Sequence, residues 1–221
     1  LPEKHARIVR ATRSGEPDHD VEGARQAMAK WAYPRVWLDF ETIAFAVPRW
    51  IGTRPYQQVP FQFSVHIEEA DGALAHHEFL SLDGADPRRS CAGALVAAIP
   101  EDATVIAYNA PFEKGVLREL AAIFPDLKDG LLDMAQRTVD LLPVTRNHWY
   151  HRDQRGSWSI KAVLPTITSL DYSTLDVKDG TGAQEAYLKA IRPETTDEER
   201  AKLSEGLREY CAQDTWAMVA M

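Results

Sequence analysis

Apolar and polar residues alternate along residues 36–42. A β-strand sends successive side chains to opposite faces, so a strand here places Val36, Leu38 and Phe40 on one face and Trp37, Asp39 and Glu41 on the other. The first face is suited to packing in a core, and the second carries two carboxylates side by side. We predict that the rest of the fold is arranged around this strand.

Similar patterns elsewhere predict a mixed sheet with helices. Residues 61–67 alternate strictly, and residues 73–80 follow a turn at Asp71-Gly72, which together indicate a hairpin. The short apolar run 103–108 is typical of a buried parallel strand. Further segments predicted are a strand at residues 138–142 and helices at residues 86–99, 112–124, 183–190 and 197–221. The predicted fold class is therefore α/β, with a mixed sheet flanked by helices.

The N-terminal residues differ in composition from the rest of the chain. Residues 1–20 are polar and are expected to form a solvated segment, and residues 21–32 are expected to form a short helix. The predicted organisation is an N-terminal segment at residues 1–33 and one globular domain at residues 34–221. Because the first residue is Leu1 rather than Met, we also expect the chain to be a piece of a longer protein with further domains.

Net charge and cysteine content narrow the function classes. The formal charge of −8 argues against a protein that coats nucleic acid, although an enzyme with an acidic, metal-filled site can still act on nucleic acid. Cys91 and Cys211 form no CxxC pair, which argues against a zinc finger and indicates a reducing cytoplasm. No apolar run approaches the roughly 18 residues needed to span a membrane, and no signal peptide is visible.

Asp39 and Glu41 are the first candidate site residues. Neighbouring carboxylates raise each other's pKa unless a cation lies between them. The divalent ions Mg²⁺ and Mn²⁺ prefer carboxylate oxygens and are the usual partners of such a pair. The alternative is a strand with a solvated acidic face, and further acids downstream are needed to decide between the two.

Three downstream segments supply such residues. Glu113 lies in the first turn of a helix that follows a buried strand, at the edge where sites form in open α/β sheets. Tyr210 and Asp214 are four positions apart, so a helix projects them from one face. Asp140 lies in or next to a strand, where we expect a structural or supporting role. Each residue also has a purely structural explanation, such as a favourable charge at a helix N-terminus for Glu113.

In combination, these residues resemble a specific set of motifs. The set comprises Asp39-x-Glu41 on a first strand, a Tyr-Asn-x-x-Phe-acid turn at residues 108–113 and a Tyr-x-x-x-Asp helix at residues 210–214. In that order, they resemble the DEDD superfamily of ribonuclease-H-like 3′–5′ exonucleases.

Two further features refine this resemblance. Tyr210, with Glu209 rather than a histidine before it, is similar to the tyrosine (DEDDy) subclass of the superfamily. Residues 54–64, 108–113 and 159–165 resemble sequence motifs of an uncharacterised bacterial domain family within it. Together the similar segments span most of residues 35–221.

The resemblance implies a fold, a reaction and a set of site residues. The implied fold is a ribonuclease-H-like five-stranded mixed sheet with strand order 3-2-1-4-5. The implied activity is metal-dependent removal of nucleotides from the 3′ ends of single-stranded DNA or RNA by a two-metal mechanism. Two Mg²⁺ or Mn²⁺ ions would be held by Asp39, Glu41, Glu113 and Asp214. Tyr210 would orient the attacking water, because a tyrosine with an ordinary pKa near 10 is a poor base at neutral pH.

One departure keeps other functions open. The superfamily usually has Asp where this chain has Glu113, and the longer side chain moves the carboxylate about 1.5 Å further out. One alternative is a non-catalytic ribonuclease-H-like module that binds nucleic acid or a partner domain. Another is a metal-dependent hydrolase of nucleotides or short oligonucleotides.

Aromatic, basic and histidine residues outside these motifs have simpler interpretations. Residues 148–158 are aromatic and cationic, and they are either a surface that stacks bases and contacts phosphates or a loop with packed aromatic side chains. His66, His76 and His77 lack the spacing of metal ligands, so we expect them to be structural or surface residues.

Overall fold

Strands and helices alternate along the chain. The structure is a computed structural model that describes residues 2–221, apart from the side chain of Lys4. Its strands are β1 (Asp18–His19), β2 (Arg35–Ile43), β3 (Val59–Glu68), β4 (Leu74–Leu80), β5 (Thr104–Ala107), β6 (Thr138–Asp140) and β7 (Trp149–Tyr150). Its helices are α1 (Glu3–Ser14), α2 (Val21–Met28), α3 (Arg88–Ala98), α4 (Pro111–Ile123), α5 (Lys128–Arg137), α6 (Leu141–His148), α7 (Ile160–Ile167), α8 (Gly180–Ala190) and α9 (Asp197–Ala220). A short 3₁₀ helix spans Arg152–Gln154.

A five-stranded mixed sheet forms the centre of the molecule, in the order β4-β3-β2-β5-β6. The middle strand, β2, pairs antiparallel with β3 and parallel with β5. The outer pairs follow suit, since β3 and β4 are antiparallel and β5 and β6 are parallel. The predicted α/β class, with a mixed sheet flanked by helices, is confirmed.

The alternation along β2 divides its side chains between two faces. Val36, Leu38 and Phe40 are buried in one core cluster together with apolar residues of α3, α4 and α5. Trp37, on the opposite face, packs in a different cluster with Met218 of α9. Because the carboxylates of β2 share the face of Trp37, they point toward α9 rather than into the main core.

A second core joins α8 and α9 to the sheet. Phe61 of β3 is fully buried and stacks on Tyr187 of α8, with ring centres 4.0 Å apart and planes 16° from parallel. Next to it, the buried Gln62 amide donates to the carbonyl oxygen of Leu207 on α9 at 2.8 Å. These contacts fix the position of α9 relative to β2 and β3.

The N-terminal segment, expected to be solvated, packs against the domain, although most side chains of residues 2–20 that the structure describes remain at least partly exposed. β1 pairs antiparallel with β7 in a separate two-stranded sheet. Arg7 of α1 donates to Asp18 Oδ1 at 2.9 Å, and Ala11 of the same helix is buried. A helical pattern with few apolar residues gave little indication of this packing, because its partners lie far along the chain.

Several predicted element boundaries change in the structure. The helix expected at residues 21–32 ends at Met28. The strand expected at residues 138–142 ends at Asp140, because the side chain of Asp140 accepts a hydrogen bond from the Leu142 amide at 3.0 Å and so caps α6. None of the helices in the described part of the chain is long and apolar enough to cross a membrane.

We expect Phe61→Ala to destabilise the folded protein by about 3–5 kcal/mol, because it removes a fully buried ring from the second core. The corresponding fall in Tm is roughly 10 °C for a protein of this size. Urea and thermal unfolding measure both quantities. Ile51→Ala is the control, since Ile51 is fully exposed. A loss below about 1 kcal/mol for Phe61→Ala would contradict the packing of α8 on β3.

Candidate functional site

Two carboxylates of the candidate site come from the middle strand. Asp39 and Glu41 lie on the face of β2 that points toward α9, and Glu41 is only 7% exposed. The pairing register of β2 with β3 shifts between Glu41 and Thr42, so the strand is irregular directly after the two acidic residues. The alternative of a solvated acidic face on this strand is therefore wrong for Glu41.

Helix α9 supplies the third carboxylate. Tyr210 and Asp214 are both buried and lie one turn apart on the helix. One oxygen from each of Asp39, Glu41 and Asp214 can be chosen so that all lie within 4.8 Å of one another. The three acids line one cavity of about 220 Å³, to which Tyr210 also contributes. The structure thus brings together four of the five predicted site residues.

Glu113 is buried nearby but does not belong to the three-carboxylate group. It lies in the first turn of α4 and is 3% exposed. Within the described part of the chain, its Oε2 is one of few buried side-chain oxygens that lack a hydrogen-bond partner. Burial, followed by the charge of Asp140, raises the pKa of Glu113 to about 8. The charge of Glu113 in turn contributes to the raised pKa of Asp39, so the two carboxylates interact electrostatically.

Asp140 has the supporting role that its position indicated. Besides capping α6, its Oδ1 accepts a hydrogen bond from the backbone amide of Asn109 at 3.0 Å. Asn109 has φ of 75°, in the left-handed region that asparagine tolerates better than most residues. Asp140 therefore stabilises the turn between β5 and α4 that positions Glu113.

Burial dominates the electrostatics of the three-carboxylate group. It raises the pKa of Asp39 well above the ordinary range, and the charges of Asp214 and Glu41 add to this effect. Burial and the charge of Asp214 raise the pKa of Glu41 to about 8. Burial also raises the pKa of Asp214, although hydrogen bonds and a nearby lysine oppose it. In the absence of a cation, the group holds its negative charge at a cost.

Tyr210 is a neutral phenol in this environment. Burial raises its pKa above the ordinary value of 10, and the neighbouring charges of Asp214, Glu41 and Asp39 raise it further. A phenolate therefore does not form at neutral pH, and Tyr210 is unsuited to act as a general base. It can donate and accept hydrogen bonds, which suits the orientation of a water molecule.

Two residues of the site were missed by sequence reasoning. Lys161, near the start of α7, donates from Nζ to Tyr210 Oη at 2.6 Å and lines the same cavity. Tyr172, in the segment between α7 and α8, donates to Asp214 Oδ1 at 2.6 Å. Lys161 lies within residues 159–165, a segment that contributes to the family resemblance but to none of the predicted site residues. Tyr172 gave no signal, because a single tyrosine between helices has no informative spacing.

The aromatic residues at positions 148–158 are used largely for packing. Tyr150 is buried and its ring lies 5.6 Å from that of Trp158. Trp149 donates from Nε1 to Thr166 Oγ1 at 3.0 Å. The carbonyl oxygen of Trp158 accepts a hydrogen bond from Tyr108, a residue that lines the acidic cavity. These contacts favour the packed-loop interpretation and connect the loop to the cavity wall.

The histidines of the sheet have structural surroundings. His66 Nδ1 lies 2.9 Å from Thr215 Oγ1, which lies 2.7 Å from Ser64 Oγ in the same buried network. Burial lowers the pKa of His66 to about 4, so this imidazole is neutral at physiological pH. His77 is exposed on β4. The interpretation of these side chains as structural or surface residues agrees with these contacts.

Comparison with known proteins gives the chain a family. Residues 36–159, more than half of the chain, match the family described as "Domain of unknown function (DUF2779)". The chain belongs to the DUF2779 family. The matched range contains Asp39, Glu41 and Glu113 and ends before α9, which carries Asp214.

The chain is also similar to uncharacterised proteins of Mycoplasma and Ureaplasma. The chain is 26% identical to the "Uncharacterized protein MG366 homolog" of Mycoplasma pneumoniae, over 85% of this chain and 31% of that protein. It is 23% identical to "Uncharacterized protein UU173" of Ureaplasma parvum, over 90% of this chain and 32% of that protein. The chain therefore spans about a third of the length of these curated relatives. No solved structure matches it significantly.

The raised pKa of Glu41 predicts a pH dependence of stability. Its carboxyl has a pKa of 4.5 ordinarily and about 8 in the folded protein, so the folded state binds the proton more tightly. This contribution to stability is full below pH 4.5 and is lost as the pH rises through 8. In EDTA, we expect Tm to fall over this range. Glu41→Gln should reduce the accompanying loss of unfolding free energy by on the order of 2 kcal/mol.

Thermal unfolding in EDTA between pH 4 and 9 measures this dependence. Glu101→Gln is the matched control, since Glu101 is exposed and is expected to leave the profile unchanged. An identical slope for wild type and Glu41→Gln would mean that Glu41 titrates normally, and would contradict its burial beside Asp214.

Proposed function

We propose that this chain is a metal-dependent 3′–5′ exonuclease of the ribonuclease-H-like DEDD superfamily, tyrosine subclass. It would hydrolyse phosphodiester bonds at the 3′ ends of single-stranded DNA or RNA. The observation that carries the proposal is the convergence of Asp39, Glu41 and Asp214 within 4.8 Å, from two elements far apart in sequence. Tyr210 lies beside them on the helix of Asp214, as the resemblance implies.

The topology of the sheet supports the same assignment. Counted along the chain within the five-stranded sheet alone, its order reads 3-2-1-4-5, with the third strand antiparallel to the second. This is the order that the resemblance implies for a ribonuclease-H-like fold. The acidic pair lies on the first of these strands, at the centre of the sheet.

The residues of the cavity fit a divalent metal. Three carboxylates line one pocket in which burial raises the pKa of each, and a cation offsets that cost. All-oxygen donors are typical of Mg²⁺ and Mn²⁺ sites. Asp39, Glu41 and Asp214 would hold the metal, and the unpartnered oxygen of Glu113 offers a fourth ligand for the second ion of a two-metal mechanism.

Such ions, when bound, supply Lewis acidity toward phosphate oxygens and increase the acidity of water. The protein's own residues supply position. Tyr210 remains a neutral phenol that orients the attacking water through hydrogen bonds. The cavity is recessed and small, at about 220 Å³, so a flexible strand end reaches it more readily than the interior of a duplex. Removal of nucleotides one at a time from a free end suits this shape.

One observation favours a second candidate, a non-catalytic module that binds nucleic acid or a partner domain. Glu113 lies outside the group formed by the other three acids, so the fourth ligand of a full two-metal site is displaced. The chain covers only about a third of its curated relatives, and partners elsewhere in a longer protein are also a proposal. A hydrolase of short oligonucleotides differs from the exonuclease only in its preferred length of substrate.

The proposed activity predicts loss of nucleotides from the 3′ end of labelled single-stranded DNA or RNA with Mg²⁺ or Mn²⁺. Asp39→Asn and Asp214→Asn keep the shape of the side chains but remove ligand charge. Each is expected to lower the rate by at least about 10²-fold. Asp102→Asn, at an exposed acid, is the matched control. Substrates of two to thirty nucleotides separate an exonuclease from an oligonucleotide hydrolase.

The position of the label and the metal dependence decide between outcomes. Release of 5′-monophosphates from the 3′ end, abolished by EDTA and by both Asn variants, would support the exonuclease. Binding of the strands without cleavage, unchanged in the Asn variants, would contradict it and favour the non-catalytic module.

A further inference from the structure

Lys161 is held rigidly inside the acidic cavity. Its Nζ donates to Tyr210 Oη at 2.6 Å. The same Nζ lies 4.6 Å from the centre of the Tyr210 ring and 5.2 Å from that of Tyr172, so two aromatic faces also attract it. A lysine on a flexible stem normally samples many positions, and three contacts here restrict it to one.

Its position on α7 is itself fixed. The helix begins after Ser159, and Val163 and Leu164, two and three positions after Lys161, are fully buried. Leu164 belongs to the core cluster that also contains Tyr172 and Tyr210. Helix α7, which carries Lys161, and helix α9, which carries Tyr210, therefore pack in the same core cluster.

The direction of the hydrogen bond determines what Tyr210 can do. An ammonium group only donates, so Tyr210 Oη is the acceptor in this pair. The phenol hydrogen is therefore left to donate to another group, and the phenol oxygen is held at one point. A second tyrosine hydroxyl, that of Tyr172, donates to Asp214 Oδ1. Lys161, Tyr210, Tyr172 and Asp214 thus form one connected polar cluster around the cavity.

The charge of Lys161 reaches all three carboxylates. Its proximity opposes the rise in pKa at each of Asp39, Glu41 and Asp214. A divalent cation bound by these acids would sit near a fixed positive charge and be repelled by it. Lys161 therefore weakens metal binding rather than strengthening it, so its role in the reaction is a different one.

We propose that Lys161 is a positioning residue that fixes the Tyr210 phenol for orientation of the attacking water, at a cost in metal affinity. This inference rests on the proposed function and adds a residue that the motifs do not contain. Lys161 acts through Tyr210 rather than on the substrate, so its effect on the rate should depend on the Tyr210 hydroxyl.

Three single variants and one double variant test this role. Lys161→Met removes the charge and the donor but keeps the length and the apolar stem, and Tyr210→Phe removes the acceptor. Each is expected to lower kcat of the exonuclease by about 10²-fold with little change in KM. The double variant should be no slower than either single variant by more than about threefold, because both remove the same contact. Lys161→Arg keeps the charge and donor and should recover part of kcat.

Metal affinity provides a readout that does not need activity. Titration with Mn²⁺ alone, followed by calorimetry, should show at least about tenfold tighter binding to Lys161→Met than to wild type, since a neighbouring positive charge is gone. Lys128→Met, at an exposed lysine of α5, is the matched control and should bind Mn²⁺ as wild type does. Circular dichroism and Tm establish that each variant is folded.

The outcomes separate this inference from the proposed function. Multiplying effects of Lys161→Met and Tyr210→Phe on kcat, or unchanged kcat in Lys161→Met, would overturn the positioning role. A wild type without nuclease activity would contradict the proposed function and, with it, the positioning role. Equal or weaker Mn²⁺ binding by the folded Lys161→Met protein would overturn the cost in metal affinity, whether or not the wild type is active.

Discussion

Three carboxylates that line one pocket repel each other, and this repulsion constrains the structure around them. Asp39 and Glu41 cannot move apart, because they are fixed two positions apart on the middle strand of the sheet. Asp214 is held against them by α9, which packs through apolar residues of two core clusters and through hydrogen bonds to β3. The packing energy of the surrounding cores must therefore exceed the cost of bringing buried acids together. Sites that store such a cost are usually functional.

The framework provides that energy from both faces of the sheet. One face of β2 contributes Leu38 to a core with α3, α4 and α5. On the other side, the stack of Phe61 on Tyr187 joins α8 to β3, and Gln62 connects β3 to the backbone of α9. β2 and α9, which carry the three acids, are thus held in place by contacts that do not involve those acids. The arrangement does not require the acids to attract one another.

Local patterns predicted much of the sheet and part of the site. The alternation along residues 36–42 predicted the two faces of β2 correctly, because successive side chains of a strand point to opposite faces. The four-residue spacing of Tyr210 and Asp214 gave their common face for an equally simple reason. Asp140 was harder, since a capping side chain ends one element and begins the next within two residues.

Other features depended on contacts that no local pattern encodes. Lys161 reaches Tyr210 across 49 positions of sequence, and Tyr172 reaches Asp214 across 42. The displacement of Glu113 from the other acids depends on how α4 sits against β5, which spacing along the chain does not determine. The docking of residues 18–20 likewise depends on residues more than a hundred positions away.

The small sheet formed by β1 and β7 has a consequence for the order in which the chain acquires its structure. His148, just before β7, bonds to Asp20 across 128 positions, so the N-terminal segment has no docking surface until more than half of the chain has been synthesised. During synthesis, α1 and α2 emerge before the central sheet and β7, so they must wait for the residues on which they pack. Closing so large a loop is slow compared with forming local helices. These two helices are therefore made before the central sheet but reach their native place after it.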